Sequence, residues 1–267
     1  MKFLIGVDMN LEAYFGSILV VFIIFALTYF IGRYFKNYAI VDSIWAYTIF
    51  IQTLSYILFA HKKSTLNLFY LAMLGAWAIR LGTFLMIRIV RKHPVVDSRY
   101  VHLEKAYGDN ANLRFALFFV IQAVVVLLMS FPFIYFSNHE RDLEIVDYVL
   151  LSFFSIFLLM ESLADQQMSA FKAKSENQNK VCDLGLWYYS RHPNYFFESM
   201  IWWVFFAAFA LEGMWWSIYL PLMMLCLLLK VSGVPLSEEQ AILKRGKIYA
   251  DYQRRTSYFI PWFKSKK

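Results

Sequence analysis

An all-α, polytopic membrane bundle of about seven transmembrane helices is the fold class this 267-residue chain predicts. Composition is the first reason. Residues are 60% hydrophobic and 20% aromatic but only 17% charged, whereas a soluble domain is about half apolar and about a quarter charged. The second reason is length: a bilayer core of about 30 Å needs roughly 20 apolar residues per helix, and the sequence supplies seven such windows. The third is the placement of charge. Counting residues at the span ends, 21 of the 26 Lys and Arg fall in the first, third and fifth connections and the C-terminal tail. Four fall in the N-terminus and the remaining connections, and Arg80 lies inside a span.

The windows run over 11–32, 38–60, 66–90, 114–137, 146–165, 195–212 and 214–230. No basic region, short apolar core and cleavage site precedes the first, so no cleaved leader is expected. Lys and Arg accumulate on the cytoplasmic side of membranes, which predicts an external N-terminus and a cytoplasmic tail. With no other targeting signal, a bacterial inner (cytoplasmic) membrane is the expected location. The hydrophilic segments 91–113, 166–194 and 231–267 then lie inside, where a water-soluble ligand would meet the protein. No repeat or flexible linker divides the chain. It reads as a single transmembrane domain, 1–267, with an N-terminal half over 1–145 and a second half over 146–267.

The net charge of +7 fits loops facing anionic headgroups or an anionic cofactor, not nucleic acid. Partners are the bilayer and a small lipid-soluble molecule; no protein partner is called for. Two cysteines, Cys182 and Cys226, cannot make a disulfide scaffold. The histidines, at 61, 93, 102, 139 and 192, are scattered, so no metal site is predicted. No dinucleotide-binding glycine motif, P-loop, zinc-protease motif or serine elbow is present.

Charged groups at membrane depth cost at least about 2.5–3.5 kcal/mol each on insertion scales, so each one asks for a reason. Asp42 opens the second span and Arg80 sits within the third; a pair between them would staple two helices. Glu161, Asp165 and Lys172 share one face at helical spacing, at the end of the fifth span. The densest polar stretch is Gly185 to Glu198, containing Tyr189-Ser190-Arg191-His192-Pro193-Asn194. Pro193 suits the first position of a helix. Arg191 and His192 then stand at that helix's N-terminus, where free N–H groups and the dipole favour anions. Asn194 and Glu198 are four apart on the same helix. In the tail, Glu238-Glu239 precede a basic amphipathic stretch that carries Tyr252, Arg254 and Arg255. Such a stretch is a membrane-surface element by default, and these three side chains can instead close over an anionic ligand.

With these residues on the page, the chain resembles the steroid 5α-reductase family of membrane proteins, and most of all that family's bacterial branch of unassigned function. The resemblance rests on Val41-Asp42-Ser43-Ile44-Trp45, Trp77 to Gly82, Asp97-Ser98-Arg99-Tyr100, Gly185 to Glu198 and Phe259-Ile260-Pro261-Trp262. It implies an NADPH-dependent oxidoreductase that reduces the C=C bond of an enone in a lipid-soluble substrate, with cofactor in the 146–267 half and substrate in the 1–145 half. It further implies cofactor-binding roles for Glu161, Asp165, Lys172, Tyr189, Asn194 and Glu198, to which the helix N-terminus adds Arg191 and His192 and the basic tail adds Tyr252, Arg254 and Arg255. Lys172 stands where the family often has Arg, and Glu161 where the steroid enzymes have Asn. Trp77 takes the position of a substrate-holding Tyr and cannot act as an acid, so an unsaturated lipid other than a steroid is equally implied. Catalysis falls to Asp42 and Tyr189. Either Asp42 is protonated and donates to the substrate carbonyl, or it is ionised on Arg80 and leaves Tyr189 or Tyr100 as donor.

Arg191-His192-Pro193-x-Tyr195 and the paired glutamates ahead of Tyr249-x-x-Tyr252 also resemble the isoprenylcysteine and phospholipid methyltransferases. That likeness implies S-adenosylmethionine at the same helix ends, with Glu238-Glu239 approaching it. A third reading is a non-enzymatic lipid-binding protein in which the charges only anchor helices.

Overall fold

A computed structural model describes residues 11–60, 64–231 and 233–264, with the side chains of 11–13 excepted. His61, Lys62, Lys63, Lys266 and Lys267, which entered the sequence reading, lie outside them, as does the N-terminus whose sidedness was predicted. The described chain is 81% helical with no strand, and seven helical stretches are long and apolar enough to cross a membrane. These are the features of an integral multi-pass protein. The helices are α1 (Leu11–Tyr34), α2 (Ile40–Phe59), α3 (Thr65–Lys92), α4 (Ser98–Tyr107), α5 (Ala111–Phe136), α6 (Ile145–Ala173), α7 (Pro193–Leu211), α8 (Tyr219–Cys226), α9 (Val234–Arg245) and α10 (Lys247–Arg255). They divide into two compact units, Met1–Glu144 and Ile145–Lys267.

Apolar side chains gain nothing by leaving lipid for another helix, so close backbone approach and interhelical hydrogen bonds must hold each unit. In the first unit α2 and α3 meet closely at Gly82. The Ser43 hydroxyl donates to the Gly82 carbonyl at 2.7 Å, and the Tyr47 ring lies where a β-carbon would stand, 2.7–2.9 Å away. The Tyr47 and Thr83 hydroxyls bond one turn along, at 2.8 Å. Gln52 Nε2 donates to Ser17 Oγ on α1 at 2.9 Å, and the Tyr29 hydroxyl donates to the Asn112 carbonyl of α5 at 3.1 Å. Tyr38 stacks on Phe115 with centroids 4.0 Å apart.

In the second unit α6 packs on α7, with Phe154 edge-on to Phe205 and Trp202 fully buried. The last crossing is built in pieces: a 3₁₀ turn Trp215–Ile218, α8, and a π-helical turn Leu227–Val231. Helix α6 continues past the apolar window's end at 165 to Ala173, as the shared face of Glu161, Asp165 and Lys172 requires, and α4 is a separate helix where 91–113 read only as a hydrophilic connection.

Candidate functional site

Each unit holds one polar centre where its elements end. In the first, Asp97 caps α4, accepting from the Arg99 backbone N–H at 3.0 Å. That cap turns the Arg99 side chain back onto Asp97 (Nε to Oδ1, 3.1 Å) and onto Asp42 at the start of α2 (Nη2 to Oδ2, 2.7 Å). Arg88, near the end of α3, reaches Asp97 Oδ2 at 3.2 Å. The buried Tyr100 hydroxyl donates to Asp42 Oδ1 at 2.7 Å. Burial pushes the Asp97 carboxyl up, but the Arg99 charge and hydrogen bonds, with Arg88 behind them, hold it down at about 2.

This geometry corrects the pairing expected of Asp42. Its cation is Arg99; the Arg80 guanidinium lies over the Phe84 ring, 5.6 Å from the centroid. Both Asp42 oxygens already accept, one from Arg99 and one from Tyr100, so neither is left free to meet a substrate carbonyl. Tyr100, the alternative donor, spends its hydroxyl on Asp42. The sequence marks Arg99 and Asp97 only as part of a motif; the capping pattern of Asp97 two residues before Arg99 is the signal that links them.

The second centre lies on Gly185–Glu198, the end of α6, and the tail. Gly185 has φ +58°, a conformation other residues adopt at a cost, and a β-carbon there would stand 2.5 Å from the Gln167 amide. Gln167 Oε1 can therefore accept from the Leu186 N–H at 2.9 Å, and Trp187 Nε1 donates to the Ala164 carbonyl at 2.9 Å. These two bonds lay the turn on α6. The tail closes the other side. The Arg191 N–H donates to the Ser257 carbonyl at 2.9 Å, the Trp262 N–H to the Tyr189 carbonyl at 2.9 Å, and Ser190 Oγ to the Phe259 carbonyl at 2.7 Å.

Inside this frame, Asn194 Nδ2 donates to Asp165 Oδ1 at 3.1 Å. Glu161 and Glu198 are buried one helical turn away from that pair on α6 and α7, and Glu198 Oε1 accepts from Trp202 Nε1 at 3.0 Å. Asn194 Oδ1 is buried with no hydrogen-bond partner, an acceptor free for an N–H or O–H.

Arg191 and His192 do not present a free cationic surface. Glu238, on α9, accepts from Arg191 Nη1 at 3.0 Å and lies 3.1 Å from His192 Nε2. Gln253 Nε2 donates to the same carboxylate at 2.8 Å and the Tyr249 hydroxyl at 3.3 Å. Burial pushes the His192 imidazole below its ordinary 6.5, against the pull of Glu238. Burial raises the Tyr249 and Tyr252 phenols well above 10.0, so both remain neutral donors.

Of the remaining expected ligands, Tyr252 is buried and bonds the Trp187 carbonyl, so it pins the tail to the turn. Arg254 pairs with Asp251 and Arg255 with Asp183. Both pairs are exposed, and such pairs hold by about 0–1 kcal/mol, so a phosphate can displace them. Lys172 is exposed at the end of α6. Tyr189 is half-exposed, its ring edge-on to Phe263. Among the described residues, no group of three or more His, Cys, Asp or Glu is arranged to hold a metal ion. Asp165 and Asn194 offer a buried carboxylate and amide that can hydrogen-bond a polar ligand, and Lys172, Arg254 and Arg255 are the exposed cations of the same unit, since Glu238 already holds Arg191.

A family described as "protein of unknown function (DUF1295)" matches residues 28–256. No curated protein and no solved structure matches the chain.

Proposed function

The chain belongs to the DUF1295 family, a family related to steroid 5α-reductase-like proteins, and from that premise we propose an NADPH-dependent membrane reductase acting on the C=C bond of a lipid-soluble enone. One observation carries the reading. Glu161, Asp165, Asn194 and Glu198 are polar groups on the facing ends of two apolar helices, and the Asn194 carbonyl oxygen there is buried and unpartnered. Buried carboxyl and amide groups need partners, and an unsatisfied buried acceptor costs about 1–3 kcal/mol until a ligand meets it.

NADPH supplies a hydride when bound. Asp165 orients the Asn194 amide so that Oδ1 accepts from a carboxamide or ribose hydroxyl. Lys172, Arg254 and Arg255 offer charge to phosphate. The half-exposed Tyr189 is the hydroxyl left to donate to a substrate carbonyl, because Tyr100 and Asp42 satisfy each other. Asp42 then acts by organising the first unit's polar centre.

A second reading, a methyltransferase using S-adenosylmethionine, is favoured by Glu238. A carboxylate set against Arg191 and His192 cancels the turn's charge, which suits a sulfonium cation better than a polyphosphate. Calorimetric titration of the detergent-purified protein with NADPH and S-adenosylmethionine, separately, decides between them. Micromolar binding of NADPH with no heat from S-adenosylmethionine supports the reductase, and the reverse supports the methyltransferase. Silence from both overturns each.

A further inference from the structure

Outside the membrane spans, the tail and the turn beneath it expose a run of aromatic and apolar side chains. Ile260, Trp262 and Phe263 are 60%, 68% and 75% exposed. They adjoin the half-exposed rings of Tyr188 and Tyr189: Tyr189 contacts Phe263, and Lys264 Nζ stands 4.0 Å from the Tyr188 ring centroid. Two chain segments distant in sequence thus present one apolar face, joined by the Trp262-to-Tyr189 and Ser190-to-Phe259 hydrogen bonds, the latter between residues 69 positions apart. Leaving such a face in water is unfavourable, and contiguous exposed patches mark interaction surfaces.

The length of α7 says what covers it. Its 19 residues span about 28 Å at 1.5 Å per residue, the thickness of the hydrocarbon core. Taken as a full crossing, α7 would put Pro193, its first residue, at the core boundary. Tyr188, Tyr189 and the tail segment bonded to them would then stand at headgroup level. Trp and Tyr side chains prefer that depth, because the ring is apolar and its N–H or O–H stays wet. The charge agrees: Arg255 and Lys264 share the single carboxylate of Asp183, which leaves a positive surplus beside the rings.

We propose that Tyr188, Tyr189 and the Phe259–Phe263 segment form a foot that seats in the headgroup layer of the protein's own membrane and favours anionic lipid. The partner is a lipid surface. The foot is tied through Tyr189 and Ser190 to the Arg191–Asn194 turn, so lipid composition bears on the candidate site, whichever cofactor that site takes.

The test uses the full chain carrying Phe263→Cys in a Cys226→Ser background, labelled at residue 263 with an environment-sensitive fluorophore; Cys182 is buried. The protein is reconstituted in phosphatidylcholine vesicles with and without phosphatidylglycerol. The foot predicts blue-shifted emission, quenched more by nitroxides near the headgroup than by nitroxides deep in the chains, with stronger quenching when phosphatidylglycerol is present. Water-like emission without quenching overturns it. A blue shift that lipid nitroxides do not quench, and that grows with the protein-to-lipid ratio, assigns the face to a second copy and also overturns it. Equal quenching in both vesicle types overturns the anionic preference. Adding Trp262→Ser to the labelled chain should return the emission toward its value in water; an unchanged shift would show that the label alone inserts.

Discussion

Arg191 Nη1 lies 3.0 Å from Glu238 Oε1, joining residues 47 positions apart with both side chains largely shielded from water. Removing one partner of a buried pair leaves an uncompensated charge, at a cost of about 3–5 kcal/mol. Glu238→Ala should therefore lower the thermal midpoint of the purified protein by several degrees. Glu238→Gln, which keeps one acceptor oxygen but not the charge, should lose less. Arg191→Met in the Glu238→Ala background should recover part of the loss. An unchanged midpoint in Glu238→Ala would mean that the carboxylate does not hold the turn.

The Tyr100 hydroxyl and Arg99 meet the two oxygens of one carboxylate, Asp42, so the groups should be energetically coupled. Tyr100→Phe and Asp42→Asn each remove part of the same network. A double-mutant cycle on denaturant or thermal stability should show non-additivity of about 1 kcal/mol, within the range for groups in direct contact. Additive losses would mean that the bond contributes nothing in solution.

Asp165 and Asn194 supply the candidate site's oriented amide, and their exchange should be felt in ligand affinity before stability. Asn194→Ala and Asp165→Ala should each weaken binding of whichever cofactor the titrations identify by at least about tenfold, about 1.4 kcal/mol. Normal affinity in both variants would place the cofactor elsewhere.

The spans were legible because an unbroken apolar run has one physical use, and the membrane's thickness sets its length. The same reasoning stops where the membrane stops. Helix α6 runs eight residues past 165, where hydropathy falls and only the helical spacing of Asp165 and Lys172 marks it, and α4, outside the apolar core, carries no hydropathy signal at all. Within the candidate site, Asp165 and Asn194 stood out as polar residues at helix ends. Glu238 as the partner of Arg191 did not, nor Arg99 as the partner of Asp42. Contacts between residues 47 and 57 positions apart follow from how elements fold back, which no local spacing encodes.

Gly185 needs both its positive φ and its missing β-carbon. Gly185→Ala should cost about 1–3 kcal/mol for the sparsely populated positive-φ backbone alone, with more for the clash with Gln167. Gln167→Ala in the same chain removes the clash but leaves the Leu186 N–H unpaired, so it should not restore wild-type stability. Full restoration would mean that the turn is free to take another conformation.

His192 gives a pH dependence of known sign. Burial, working against Glu238, depresses the imidazole pKa below 6.5 in the folded chain. As pH falls through about 6.5 the unfolded chain takes up a proton that the folded chain refuses, so the unfolded state gains. The stability associated with neutral His192 is complete above 6.5 and is lost progressively as pH drops toward the depressed value, with a slope of at most about 1.4 kcal/mol per pH unit from this one group. His192→Gln, which can keep a hydrogen bond to Glu238 without titrating, should flatten the profile of thermal midpoint against pH between about 6.5 and the onset of carboxylate protonation. An identical profile in the variant would assign the acid sensitivity to another group.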